Sequence, residues 1–250
     1  MEFSDDQVDV LKKIAIESYI DEIVEHCGII FPKLIPLYMK EEFYSYVQQG
    51  IILAEQAGYT QRGPVRLYID AMIIFGSGFE REPLFHSLKI KEKRQPSQIE
   101  RSMNLYALLN DYIEKVYGEN GCFFKKSFEM FENFSAKAFP VNISYSNEGL
   151  HELLMGIYPQ RYDFAGYNAV NDLIAVLDGV CEKYKIKRLN HRLYLALIMF
   201  LFGCSFEQDV FRGHLITAPL INYFNNEEIS NHNIIVSTYD SFQLNHGLHK

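Results

Sequence analysis

Gly58 to Glu82 reads GYTQRGPVRLYIDAMIIFGSGFERE, and Tyr184 to Asp209 reads YKIKRLNHRLYLALIMFLFGCSFEQD. In both stretches an Arg-Leu-Tyr step, Arg66 to Tyr68 and Arg192 to Tyr194, leads through an apolar run into Phe-Gly-x-x-Phe-Glu. The first motif places Gly76, Phe79 and Glu80, and the second Gly203, Phe206 and Glu207. A helix that is apolar nearly all round is buried on several sides, and glycine just past its end supplies the stop. Two such helices, at 64–75 and 190–202, predict an all-α fold of two similar helical halves. The rest of the chain packs around them.

Outlying anchors repeat the spacing. Phe79 and Phe206 lie 127 apart (206 − 79), as do Phe31-Pro32 and Tyr158-Pro159 (158 − 31), while Asp21 and Glu25 fall on Glu148 and Glu152. The Arg-Leu-Tyr steps match at 126 and the pair His86/His214 at 128, which predicts a residue of slack within a tandem repeat. The predicted organisation is a first repeat over 1–97, linking helices over 98–140, a second repeat over 141–224 and a partly ordered tail over 225–250.

Composition narrows the classes of function. A formal net charge of −8 argues against general binding to nucleic acid or to anionic membranes. Cys27, Cys122, Cys181 and Cys204 form no Cys-x-x-Cys pair and read as reduced, buried thiols of an intracellular protein. The acidic start MEFSDDQVDV has no apolar signal region, and the apolar run Leu193–Phe202 is too short for a membrane span, which needs roughly 20 residues. A cytoplasmic location is expected.

Along the chain, Ser4 caps a helix whose apolar positions Val8, Leu11, Ile14, Ala15, Tyr19, Ile23 and Val24 keep helical spacing, ended near Phe31-Pro32. A second helix runs from about Pro36 or Tyr38 to Ala57 and stops at Gly58; Thr60 or Gly63 caps the central helix. Ser97 caps a linking helix whose inner stripe is Ile99, Met103, Tyr106, Leu109, Tyr112, Ile113 and Val116. Further helices read at about 147–156 and 167–184.

No motif forces a chemistry. Glu148-x-x-His151 has the spacing of di-iron bundles, but the matching stretch Asp21 to Val24 has no histidine, so the paired acids read as wetted faces. Glu80 and Glu207 are the acids an enzyme would use with His86 and His214; the competing reading locks them to Arg66 and Arg192. Ser77 and Cys204 follow the two glycines, without a nucleophile elbow around them. No phosphate-binding glycine loop is present. No residue is assigned a catalytic, cofactor or metal role. Lys89, Lys91, Lys93 and Arg94 form a basic loop suited to a partner contact.

Phe31-Pro32, GIILAEQAGYT (Gly50–Thr60) and YIDAMIIFGSGFEREP (Tyr68–Pro83) resemble a loosely defined set of uncharacterised bacterial proteins. Their genes often neighbour type VI secretion spike, tip and effector-adaptor genes. The resemblance covers residues 18–90; the second motif departs from it, with Val210 where the pattern has proline. It implies a non-enzymatic accessory: an adaptor or chaperone for an effector, or an immunity protein bound to a toxin. The expected partner is therefore another protein, a toxin, effector or spike component, and the acidic balance suits a basic one. A helical enzyme or small-ligand binder with a site between the halves is the competing class. A homodimer is a third arrangement.

Overall fold

The computed structural model describes residues 4–88, 96–136, 146–226 and 229–245, and their regular structure is entirely helical. The chain is all-α. In order come α1 (Asp5–Ile30), α2 (Lys40–Gln56), α3 (Arg62–Phe75), α4 (Gln98–Tyr112), α5 (Cys122–Ala136) and α6 (Asn147–Ile157). They are followed by α7 (Pro159–Ala165), α8 (Tyr167–Lys183), α9 (Leu189–Phe202), α10 (Gly213–Asn226) and α11 (Ile229–Asp240). Serines start three of them by accepting an orphan N–H. Ser4 and Ser97 form capping boxes with Gln7 and Glu100, and Ser146 accepts from Gly149. The cap of α3 is Gln61 rather than Thr60 or Gly63, and it makes no side-chain capping bond.

From Leu193 to Phe202 every residue of α9 is buried, as its unbroken apolar sequence requires. Helix α3 is buried on all but one side, where its charged residues Arg62, Arg66 and Asp70 meet α1. Arg66 lies 3.8 Å from Glu22, and Asp70 is 2.9 Å from His26. Both pairs are four residues apart on their helices, so two adjacent turns register together.

Element boundaries recur at a constant spacing. α1 and α6 end 127 residues apart (157 − 30), and α2 and α8, like α3 and α9, start 127 apart (167 − 40, 189 − 62). The turn after α2 uses Gly58 at φ +80°, and the turn after α8 uses Lys185 at φ +56°. Tyr59 N–H then reaches Ala54 O, and Ile186 N–H reaches Cys181 O, both at 2.8 Å. The expected slack inside the central helix is absent. α3 and α9 have equal length, which puts Arg192 opposite Val65 and Tyr194 opposite Leu67. The Arg-Leu-Tyr likeness is thus one residue, about 100° of helix, out of step.

Gly76 (φ +102°, ψ 150°) and Gly203 (φ +99°, ψ 157°) end the two central helices. They adopt a mirror-extended conformation that belongs to glycine, not the left-handed helical conformation common at a helix end.

Three other expectations change. The outer half of the α4 stripe faces away from the body, with Ile99, Met103 and Tyr106 at least 58% exposed, while Leu105, Leu109, Tyr112 and Val116 are buried. Beyond residue 225, α11 packs on α5 and α10 in place of a loose tail. Phe242 and Leu244 are buried, and Asn245 N–H bonds Ile30 O at 2.8 Å. Cys122 is exposed where a buried thiol is expected.

Candidate functional site

The loops after α3 and α9 meet at the centre of the molecule. Each begins with its glycine and passes through a short 3₁₀ turn, Phe79–Arg81 or Phe206–Gln208. Phe79 and Phe206 are buried and anchor the turns. The two loops are bound by carboxylates that sequence reasoning passed over. Glu82 accepts Cys204 N–H at 2.7 Å and Ser205 N–H at 2.8 Å. Asp209 accepts Ser77 N–H at 2.8 Å, and Ser77 Oγ accepts Val210 N–H at 2.8 Å. Asp209 also pairs with Arg212, whose Nη2 donates to the Met72 and Ile73 carbonyls at the end of α3. Glu82, Asp209 and Arg212 are each at most 6% exposed, so charges and dipoles must be satisfied internally. The signal was available: both acids follow the motif at the 127 spacing (209 − 82).

The motif acids themselves are held otherwise than expected. Glu207 pairs with Lys183 and hydrogen-bonds Tyr184. Glu80 hydrogen-bonds Tyr68; burial first, then this carboxylate, push the tyrosine pKa up. Arg66 goes to Glu22 and Arg192 to Asp178. The Glu80–Arg66 and Glu207–Arg192 locks are therefore corrected. The arginines stand on helix faces turned to α1 and α8, not to the loops. Tyr194 is fully buried and bonds His232 at 2.8 Å.

A cleft of about 300 Å³ lies beside the loops, lined among others by Tyr68, Ser77, Glu80, Arg81, Ser205 and Gln208. Among the described residues no histidine lines it. His214 instead stacks on Tyr46, with ring centres 5.3 Å apart. The side chain of His86 and the basic loop of Lys89, Lys91, Lys93 and Arg94 lie outside the described residues. Cys204 is no nucleophile: burial, and secondarily Glu82, push its thiol pKa well up, disfavouring the thiolate. His151 spends both ring nitrogens on Tyr162 and Asn171, at 2.7 and 2.9 Å, while Glu148 faces solvent. Among the described residues no cluster of metal-ligating side chains is found, and no helix is long and apolar enough to cross a membrane.

The remaining feature is a surface. Ile20, Ile23 and Cys27 of α1 face the core, each at most 6% exposed. At ~100° per residue, Val10, Leu11 and Ile14 fall on the far side of the same helix. They are 58%, 51% and 55% exposed. Asp21 and Glu25, also exposed, continue that outer line toward the helix end. α1 is thus covered by this chain on one face from Ile20 onward, while residues 9–18, with Ile16 at 53%, are exposed on every side.

Comparison with known family models, characterised proteins and solved structures finds no match to the chain.

Proposed function

We propose that the chain is a non-enzymatic protein-binding accessory, and that the outer face of α1 carries the contact. The observation behind this reading is the stripe Val10, Leu11 and Ile14, more than half exposed on the part of α1 that extends past the buried segment beginning at Ile20. Exposed apolar rows of this kind suit a partner helix laid along them. Asp21 and Glu25 beyond the stripe, with the net charge of −8, favour a partner segment that is apolar at one end and basic at the other. The enzyme alternative loses support because Glu80 and Glu207 are engaged within their own helix sets and His214 does not line the cleft. The role in a bacterial secretion or toxin system, as adaptor, chaperone or immunity protein, rests on the sequence resemblance of residues 18–90. We read the constant 127-residue spacing as a tandem duplication.

The test compares wild type with the double variant Leu11→Lys, Ile14→Lys. Both positions are solvent-exposed, so its melting temperature should stay within about 2 °C of wild type. Tagged protein should capture a partner near one-to-one from its host, with crosslinks mapping to residues 7–25, and the variant should lose it. A partner retained by the variant, or none captured by wild type, overturns the reading. Light scattering separates a second copy of the chain from a different partner.

A further inference from the structure

A second, smaller cavity of about 30 Å³ lies inside the molecule, where α7, α9, α11 and the end of α4 converge. Arg161 lines it and is 5% exposed. A buried guanidinium is ordinarily matched by a carboxylate, because an unpaired buried charge costs several kcal/mol. Among the described residues none is paired with Arg161. Its surroundings are the rings of Phe85, Tyr112 and Phe200, 5.7–5.8 Å from the guanidinium carbon. Nη1 donates to the Tyr112 hydroxyl, and Nε has no hydrogen-bond partner.

The other polar groups lining the cavity are already committed. Tyr158 donates to Val116 O, and Tyr117 bonds the backbone of Leu244 in both directions. The Tyr239 hydroxyl bonds Ser127, whose own proton goes to Phe124 O. Arg212 also lines the cavity, but Asp209 neutralises it. Among the described residues no acid lines the space. What is left over is donors and one positive charge: the rest of the Arg161 guanidinium and the Tyr112 proton, since Tyr112 oxygen already accepts. Such an inventory calls for an acceptor bearing negative charge. The space suits one small ion and excludes a metabolite.

We propose that Arg161 and Tyr112 hold a monovalent anion of halide size in this cavity. The site is independent of the α1 surface. The probe is chloride, exchanged against gluconate at constant ionic strength, since gluconate is too large to enter. The melting temperature of wild type should rise by about 4 °C with chloride and saturate. Arg161→Met should show no such rise. Because that variant can fail to fold, two further measurements stand beside it. Tyr112→Phe should need several-fold more chloride for half of the rise, and crystals grown in bromide should show an anomalous peak against Arg161. Equal wild-type melts in the two salts, a chloride rise that persists in Arg161→Met, or a cavity without a bromide peak each overturns the proposal.

Discussion

Glu82 and Asp209 each bind the loop that leads to the other. Glu82 takes the N–H groups of Cys204 and Ser205, and Asp209 takes that of Ser77. The N–H groups just past one central helix are thus satisfied by an acid from beyond the other. Glycine is needed at both crossings, because a Cβ on Gly203 would sit 3.0 Å from Glu82 Oε1 and one on Gly76 3.1 Å from Asp209 Oδ2.

Removing either acid should be costly in its own way. Glu82→Gln keeps the shape but weakens two charge-assisted bonds, an expected loss of about 1–3 kcal/mol. Asp209→Asn strands the buried Arg212 guanidinium as well, and about 3–5 kcal/mol is expected. Urea denaturation of the two variants should rank them in that order, and equal losses would contradict it.

Gly203→Ala forces a side chain into mirror-extended backbone and against a carboxylate, so a loss of about 2–4 kcal/mol is expected. Part of that loss is the clash with Glu82. The double variant with Glu82→Ala should therefore cost less than the two single losses together. A strictly additive cycle would show that backbone strain acts alone.

Lys185 offers the opposite sign. It holds φ +56° where Gly58 serves the same turn in the first helix set. Lys185→Gly should relieve this and stabilise the protein by about 1 kcal/mol, raising the melting temperature by about 2–4 °C. An unchanged or lower melt would mean that the lysine side chain contributes more than its strain costs.

His232, 2% exposed beside Tyr194, has its pKa lowered from 6.5 to about 4 by burial. Between these values the unfolded chain binds the proton and the folded one does not. Stability from this residue is complete above pH 6.5, falls as pH drops, and is reduced by about 3 kcal/mol once pH passes 4. Wild type should lose more stability than His232→Phe between pH 6.5 and 4. Parallel curves would remove the assignment.

Much of the scaffold was legible because it follows local rules. Ser4, Ser97 and Ser146 announce helix starts, Gly76 and Gly203 announce ends, and the run Leu193–Phe202 has no face that could meet water. What was not legible is which side of a helix turns inward. At ~100° per residue Ile99, Met103 and Tyr106 lie on a different side of α4 from Leu105, Leu109 and Tyr112. The helix docks by the latter side from its first turns, where Gln98 accepts from Thr60 and Arg101 donates to the Ala57 and Gly58 carbonyls. The partners of Arg66 and Arg192 were misjudged because chain proximity suggested the loop acids, while the helix faces point to Glu22 and Asp178. Arg161 gave no local signal. Its environment is assembled from residues as distant as Phe85 and Leu244.

The crossing of the two acids also bears on how the chain is made. Ser77 finds its acceptor on a residue synthesised 132 positions later, and the carbonyls of Met72 and Ile73 wait longer still, for Arg212. On the ribosome the first three helices can form and gather, but their closing turn stays with water until Asp209 and Arg212 have emerged. The N-terminal part is thus finished last, although it is translated first.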